Sequence, residues 1–237
     1  MNILKEFSVN DKCSYLSDKE QTTHYKVIEE CSRAYTQELI ERGYRRFGKM
    51  YFRPVCSSCD ECKSIKIDVE NFEFSSSQRR VIRKASNIKS YIQQPSMSRS
   101  HLELFEKYHL FMKEKKGWSH TASTAQSYYS SFVDGHNDFG YEILYYMDDK
   151  LIGVDLIDIL EDGISSIYFY YDPDYTQYSL GKLSLYYQIM LAKQNQKKWI
   201  YLGYYVKDCP SLSYKSHYKP YITLSGKPDM NEEPKWI

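Results

Sequence analysis

Three stretches in the second half of the chain alternate apolar with polar residues and are separated by short polar turns. They span residues 141–147, 151–159 and 164–171. Alternation with a period of two is typical of strands, and turns of this length join antiparallel neighbours. An amphipathic stretch at 179–193 predicts a helix that Ser179 caps, and the apolar segment 199–202 predicts a buried strand that ends at Gly203. The pattern predicts a strand meander followed by a helix and a strand.

The first half of the chain mixes short segments of both periods. Strands are predicted at 25–28, 44–47, 49–53, 64–69 and 88–92. Helices are predicted at 35–42, from Ser77 onward, at 102–111 and at 123–133. Gly43 is expected to end the first helix, because glycine adopts the left-handed C-cap conformation at little cost. The fold class is α+β, a mixed α/β fold. We predict a small N-terminal α+β domain at 1–95 and a second domain at 96–237, divided near Pro95.

Composition places the chain among soluble globular proteins, since 42% of its 237 residues are hydrophobic and 27% are charged. No apolar run approaches the roughly 20 residues that a membrane span needs. The N-terminus lacks the charged-then-apolar pattern of a signal peptide. We therefore expect a cytoplasmic protein with no membrane partner, in which the six cysteines are reduced.

The net charge of +1 conceals an uneven distribution of charge along the chain. Residues 41–100 carry thirteen Lys or Arg against six acids, and residues 181–237 carry nine Lys against four. The segment between them at 121–180 carries one Lys against eleven acids. Two basic segments can form a cleft for an anion, with the acids solvating the far side. The alternative is that basic and acidic faces pair with each other.

The thiols of Cys56, Cys59 and Cys62 are separated by two residues each. This spacing lets neighbouring thiolates converge on one ion, as in zinc and iron–sulfur sites. No fourth ligand follows locally, so Cys13 is the best distant candidate and Cys31 the second. Reduced structural thiols and a redox-sensitive pair remain open alternatives, and a zinc ion or iron–sulfur cluster is therefore an option rather than a requirement.

Two pairs of arginines lie on either side of this thiol run. Arg45 and Arg46 precede it, and Arg79 and Arg80 follow it. A bidentate pair between arginine and a carboxylate contributes about 1.5–3 kcal/mol, which is enough to select Asp or Glu over neutral side chains. The pairs are therefore candidates for recognising an acidic group, although any single one of them can equally be a solvated surface charge.

Two segments of the second half are candidates for binding a nucleotide or a phosphate. The turn at 172–178 leads into a helix N-terminus with Gly181, where free backbone amides attract anions. Leu180 occupies a position where an acetyl-CoA enzyme of this layout places glycine, which disfavours coenzyme A. Tyrosines and lysines between 201 and 220 can stack a terminal base and hold phosphates. No histidine has Ser or Asp partners in a convincing triad arrangement.

Taken together, several segments resemble the arginyltransferase-like family of aminoacyl-tRNA–protein transferases of the N-degron pathway. The segments are Cys13-Ser14-Tyr15-Leu16, Gly43 to Cys62, Ser75 to Arg80, Tyr168 to Ser184 and Tyr201 to Pro220. Within the family the chain is most similar to the short bacterial type, the aspartate/glutamate leucyltransferases. The resemblance implies a GNAT-like second domain that holds the charged tRNA end, and an N-terminal domain with cysteines in the family's metal or redox region. The segment 211–214 departs from the family's pattern.

The resemblance implies a leucyl or arginyl transfer to a protein that begins with Asp or Glu, marking it for degradation, with leucyl-tRNA as the expected donor. We hypothesise that Tyr171 and Asp172 border the reacting groups, with Asp172 relaying the amine proton. The residues assigned to the acidic N-terminus are Arg45, Arg46, Ser77, Gln78, Arg79 and Arg80. Those assigned to the aminoacyl-tRNA are Ser179, Gly181, Lys182, Tyr201, Tyr214 and Lys215. The candidate metal ligands are Cys13, Cys56, Cys59 and Cys62.

Two other functions are consistent with parts of the pattern. One is an N-acetyltransferase of the GNAT type that uses acetyl-CoA. The other is a thiol-based metal or redox sensor that binds RNA without catalysing a reaction. The transferase hypothesis requires no cofactor, because an aminoacyl ester is already activated and positioning can supply much of the acceleration.

Overall fold

A computed structural model describes residues 2–119 and 122–237, and all structural statements below concern these residues. The strands are β1 (Ile3–Lys12), β2 (Glu20–Ile28), β3 (Arg45–Phe47), β4 (Met50–Pro54), β5 (Lys63–Asp68), β6 (Ile88–Gln93), β7 (Gly140–Met147), β8 (Lys150–Ile159), β9 (Gly163–Tyr171), β10 (Trp199–Tyr205), β11 (Tyr221–Ser225) and β12 (Lys235–Trp236). The helices are α1 (Arg33–Glu41), α2 (Ser76–Lys84), α3 (Arg99–Lys116), α4 (Ala125–Tyr128), α5 (Leu180–Gln194) and α6 (Pro210–Ser213). A π-helical turn at Tyr129–Val133 continues α4, and 3₁₀ turns lie at Pro173–Tyr178 and Tyr214–His217.

Within the described residues, the strands form one four-stranded and one eight-stranded sheet. The smaller sheet has the order β1-β2-β4-β3, and the larger one has the order β12-β11-β5-β10-β9-β8-β7-β6. The mixed α+β class predicted from the sequence is confirmed. β5 and β6 precede residue 95 yet belong to the larger sheet, so sheet membership does not change at the predicted domain boundary. The two-domain division stays a prediction.

Helices cover both faces of the larger sheet because its central strands are apolar on both sides. Ile152 of β8 packs in one cluster with Leu183 and Ile189 of α5. Val154 packs in the other cluster with Leu104 of α3, because the register of β8 against β7 shifts between Leu151 and Gly153 and interrupts the alternation there. A strand buried on both faces is typical of a sheet between two helix layers.

The predicted meander of β7, β8 and β9 is confirmed, and so is the hairpin of β3 and β4. The predicted end of the first helix is also confirmed, since α1 ends at Glu41 and Gly43 has a φ of 83°. The predicted position of Ser179 as the N-cap of α5 is confirmed, although Ser179 lies in the left-handed region and makes no side-chain capping bond. β2 is longer than predicted because it pairs along its length with β1.

β10 does not end at Gly203 as the sequence predicts; it continues to Tyr205. The register against β5 shifts between Tyr201 and Gly203, where the strand bulges. On its other side β10 pairs in parallel with β9 only from Trp199 to Tyr201. Beyond that point the two strands have no ladder bonds to each other. This separation opens a gap in the sheet, next to which the candidate site lies.

Within the described part of the chain, no helix is long and apolar enough to cross a lipid bilayer.

Candidate active site

A cleft of about 580 Å³ lies where the two sheets meet. One wall comes from β3, β4 and the segment 14–15, and the other from β9, α5, β10 and the segment 211–215. The cleft therefore lies at the point where β9 and β10 separate, the position at which α/β proteins commonly bind ligands. We refer to this space as the cleft throughout.

Arg45 connects the two separating strands at the base of the cleft. Its Nη1 donates to the carbonyl of Leu202 at 3.0 Å, and its Nη2 donates to the carbonyls of Ser166 and Ile167, both at 2.8 Å. A guanidinium has five N–H donors, and these three bonds leave donors available for a ligand. Arg45 thus bridges β9 and β10 where their own ladder stops.

Gly203 makes room for this arginine. A Cβ at Gly203 would lie 1.6 Å from Nη1 of Arg45, and its φ of +72° is one that L side chains rarely adopt. The position of Arg45 therefore depends on glycine at the bulge in β10, because any side chain there would overlap the guanidinium.

Lys215 is a second basic side chain in the cleft and is only 7% exposed. Its Nζ donates to the carbonyl of Tyr204 at 2.6 Å, and no described acid forms an ion pair with it. Burial and the nearby Arg45 hold the pKa of Lys215 well below its usual range. An ammonium group buried without a counterion is unfavourable, so an anionic ligand in the cleft would stabilise it.

Aromatic rings form much of the remaining surface. Tyr108 lies 5.1 Å from Tyr171 and 6.3 Å from Trp118, measured between ring centroids. Phe47 and Phe52 face them from the smaller sheet, with centroids 5.5 Å apart. Such a surface suits an apolar side chain or a stacked base.

The described lining residues include no Asp, Glu, Cys or His. The cleft therefore presents two basic side chains, aromatic rings and hydroxyl or amide groups. This arrangement can hold a carboxylate and position two reactants.

Four of the predicted residues lie in the cleft besides Tyr171, namely Arg45, Gly181, Tyr214 and Lys215. Tyr214 is 47% exposed, so it lies at the rim. The roles assigned to these residues remain predictions.

Arg46 lies apart from the cleft. Its Nε and Nη2 donate to the carboxylate of Asp158, and both side chains are almost fully buried. Because Arg46 follows Arg45 on a strand, its side chain points to the opposite face. Its guanidinium is thus already paired within the fold.

The residues of α2 are also outside the cleft. Arg79 and Arg80 are exposed, and Arg79 donates from Nε to the carbonyl of Phe74 at 2.8 Å. Gln78 forms a capping box with Ser75, and the exposed Ser77 lies 3.0 Å from the same serine between hydroxyl oxygens. None of these four residues of α2 lines the cleft, so their predicted contact with the acidic substrate stays a prediction that the cleft does not support.

Asp172 follows Tyr171 but faces a neighbouring cavity. Burial alone would raise the pKa of Asp172, yet hydrogen bonds from Lys107 and Lys150 hold it below its usual range. A carboxylate paired in this way is a poor proton acceptor. The predicted relay role is therefore not supported by this position.

Tyr201 packs away from the cleft, where its hydroxyl contacts the carboxylates of Glu41 and Asp162. Ser179 and Lys182 lie at the N-terminus of α5 outside the lining residues, and Lys182 is exposed. Ser179 and Lys182 flank Gly181 in the sequence. A Cβ added at Gly181 would meet nothing within 4 Å, so this end of the helix is open.

The four candidate metal ligands, Cys13, Cys56, Cys59 and Cys62, line one cavity of about 150 Å³. Among the described residues, however, no group of three or more His, Cys, Asp or Glu side chains is arranged to hold a metal ion. Burial, with the other three thiols adding to it, raises the pKa of Cys62 to about 12, so this thiol is protonated in the metal-free site. The thiols as placed do not fit a bound metal, and we derive no step of the reaction through one.

Sequence reasoning missed the polar floor of the cleft on α5. Gly181, Ser184 and Gln188 line it at spacings of three and four residues. A polar stripe at helical spacing on a buried helix was the available signal.

Comparison with known proteins gives consistent results. Residues 11–80 match the family model described as Arginine-tRNA-protein transferase, N terminus, and residues 100–225 match its C terminus. The chain is 51% identical over 225 residues to an aspartate/glutamate leucyltransferase of Campylobacter jejuni, covering 95% of this chain and 94% of the relative. It is 42% identical over 236 residues to the protein of that name from Helicobacter hepaticus, covering 100% and 98%.

Likeness to solved structures is weaker. L-PGS from Bacillus licheniformis aligns with a TM-score of 0.47 at 14% identity, covering 69% of this chain and 47% of its own. FemX aligns with a TM-score of 0.44 at 9% identity, covering 77% and 63%. The sequence relatives are therefore the stronger guide to function.

Proposed function

The chain belongs to the arginine-tRNA-protein transferase family, and from that premise we propose that it transfers leucine from leucyl-tRNA to proteins whose N-terminal residue is Asp or Glu. The relatives that share 42–51% of its residues over nearly the whole chain are named for this activity. The observation that carries the proposal is the cleft, which holds the cations Arg45 and Lys215 without a described acidic partner.

The two cations provide the site for the acidic side chain of the acceptor. A carboxylate that enters the cleft favours the protonated form of Lys215, with which it can pair, and can use the remaining donors of Arg45. Hydrogen bonds to charged groups contribute about 1.5–3 kcal/mol, so this contact favours Asp or Glu over the neutral amides by about 10- to 100-fold.

The cleft also favours leucine over arginine as the donated residue. A guanidinium buried near Arg45 and Lys215 would meet like charge, and no described lining residue offers a carboxylate to pair with it. A leucine side chain requires only apolar contact, which rings such as Tyr108, Trp118 and Tyr168 supply. The charge of the cleft thus accounts for both the acidic acceptor and the neutral donor.

The tRNA end reaches the cleft from the open side near α5. The first turn of α5 at Gly181 has open space beside it, and the exposed Lys182 follows. Helix N-termini and lysines bind phosphates, and Tyr214 at the rim offers a ring for the terminal base. Affinity for the tRNA should consequently fall as salt concentration rises.

The reaction needs little chemical assistance from the protein. The α-amine of a protein has a pKa of about 7.7–8.0, so about a tenth of it is neutral at pH 7 and can attack. The ester of an aminoacyl-tRNA is already activated. Holding amine and ester together can contribute a large rate factor, consistent with a cleft whose described lining residues include no carboxylate, thiol or imidazole.

The proposal is tested by incubating the protein with a Glu-initiated peptide and one of three donors, then weighing the peptide. The donors are leucyl-tRNA, arginyl-tRNA and acetyl-CoA. We expect a mass gain of one leucine residue from leucyl-tRNA and no gain from the other two. Transfer of arginine or acetyl, or no gain from any donor, would contradict the proposal.

A further inference from the structure

Gln188 has a free hydrogen-bond acceptor beside the cleft. The residue lines the cleft and is only 1% exposed. Its amide nitrogen donates to both carboxylate oxygens of Asp155, at 3.0 and 2.9 Å, and approaches the Ser166 hydroxyl at 3.2 Å. Its carbonyl oxygen Oε1 is buried and has no hydrogen-bond partner among the described residues.

An unpaired buried acceptor is unfavourable by about 1–3 kcal/mol, so its persistence calls for a ligand that donates to it. The cleft already contains cationic donors for a carboxylate, and Oε1 is a complementary neutral acceptor. The N–H group of an incoming amine is the donor that a transferase of this class brings into its cleft.

The orientation of the Gln188 amide depends on Asp155. A carboxylate can only accept, so it holds the amide nitrogen toward itself and leaves Oε1 without a partner. A protonated Asp155 can donate its O–H instead. The amide would then turn its oxygen toward Asp155 and its nitrogen toward the cleft, and the acceptor would be lost.

We propose that Oε1 of Gln188 accepts a hydrogen bond from the α-amine of the acceptor protein, and that ionised Asp155 is the positioning residue that fixes this amide. The inference rests on the proposed leucyl transfer. The amine nitrogen attacks the ester carbonyl carbon, a C–N bond forms, and the C–O bond to the terminal ribose breaks. The proton lost by the amine ends on the released ribose hydroxyl, and Gln188 neither gains nor loses a proton.

Asp155 titrates in the range where this arrangement matters. Burial raises the pKa of Asp155 to about 7, although the side chains of Gln188 and Tyr145 act in the opposite direction. The groups that face it are Gln188 on α5, Tyr145 on β7 and, through Gln188, Ser166 on β9. Of these only Tyr145 titrates, and burial raises its pKa well above its usual range, so it stays neutral below pH 9.

Two titrations therefore combine in the reaction below pH 7. The acceptor amine must be neutral, and Asp155 must be ionised. Because each requirement makes the rate rise tenfold per pH unit below its pKa, log kcat/KM should rise with a slope approaching two between about pH 5.5 and 6.5. The cations Arg45 and Lys215 near Gln188 are common to all proteins compared, so a difference between variants reports Asp155.

The test measures kcat/KM for an Asp-initiated peptide and leucyl-tRNA across this pH range. Asp155→Asn has the shape of protonated Asp155 and offers a donor to Oε1 at every pH. We expect its slope to be lower than that of the wild type by about one, and its rate at pH 8 to fall about 10- to 100-fold. Gln188→Leu should lower kcat to a similar extent, while Gln194→Leu, on the exposed end of the same helix, serves as the matched control.

The outcomes separate the inference from the function on which it rests. Equal slopes for the wild type and Asp155→Asn would overturn the inference while leaving leucyl transfer intact. Equal rates for Gln188→Leu and Gln194→Leu would do the same. Wild-type protein that transfers no leucine at any pH contradicts the proposed function, and the inference falls with it.

Discussion

Arg45 and Arg46 are neighbours on β3, and their guanidinium groups have different partners. Arg45 reaches the cleft and bridges Leu202, Ser166 and Ile167 through their carbonyls. Arg46 is buried against Asp158 on the opposite face of the strand. The same residue type thus lines the cleft at one position and connects the two sheets at the next.

Replacing Arg46 with Met should lower stability far more than an exposed replacement does. The change leaves Asp158 buried without a counterion, so we expect the free energy of unfolding to fall by about 3–5 kcal/mol. Urea unfolding measures this, with the exposed Arg83→Met as the control. The double variant Arg46→Met/Asp158→Leu should recover part of the loss, and a single variant as stable as the control would contradict the account.

At the scale of elements, the separation of β9 from β10 creates the site. The two strands pair only over residues Trp199 to Tyr201 on β10. Gly203 bulges where pairing stops, and Arg45 fills the space that its missing side chain leaves. The cleft is therefore a consequence of strand geometry as much as of the residues that line it.

Gly203→Ala tests this geometry. The added methyl group would overlap the Arg45 guanidinium, and the φ of +72° is unfavourable for alanine, so we expect both a loss of transfer activity and a lower melting temperature. Thermal unfolding and leucyl transfer to an Asp-initiated peptide measure the two effects. Gly181→Ala is the stability control, because a Cβ there meets nothing within 4 Å. Equal melting temperatures for the two variants would contradict this explanation of the bulge.

The helix α2 lies outside the cleft and carries the arginines on which the sequence-based hypothesis depended. Because Arg79 and Arg80 are exposed and neither lines the cleft, we expect Arg79→Ala/Arg80→Ala to keep labelling an Asp-initiated peptide. The measurement is kcat/KM for that peptide at saturating leucyl-tRNA. If the folded double variant no longer labels the peptide, Arg79 and Arg80 bind the acidic acceptor as the sequence predicts, and α2 is part of the active site.

The sequence predicts elements better than it predicts their partners. Alternation at Ile65 and Ile67 identified β5 correctly, yet nothing local indicated that β5 pairs with β10, about 135 residues later. The arginine pairs were visible as charges, but the strand and helix that carry them decide which guanidinium reaches the cleft. Lys215 was identified as a candidate, whereas Gln188 was missed. Its amide oxygen is left unpaired because its amide nitrogen donates to Asp155, a residue distant in sequence.

At the scale of the whole molecule, the two sheets contribute different parts of one site. The smaller sheet supplies Arg45 and aromatic residues of β3 and β4, and the larger sheet supplies the separating strands, α5 and Lys215. A reactant held against both sheets is enclosed by cations on one part of the surface and by rings on another. In the proposed reaction, this division places the acidic acceptor and the apolar donor side by side in one cleft.

The most direct test of this account compares kcat/KM for Asp- and Asn-initiated peptides at saturating leucyl-tRNA. The proteins are the wild type, Lys215→Met and the exposed control Lys207→Met. We predict that the wild type and the control prefer Asp by about 10- to 100-fold, and that Lys215→Met loses most of this preference through slower reaction of the Asp peptide. An unchanged preference in Lys215→Met would contradict the claim that buried cations in the cleft select the acidic acceptor.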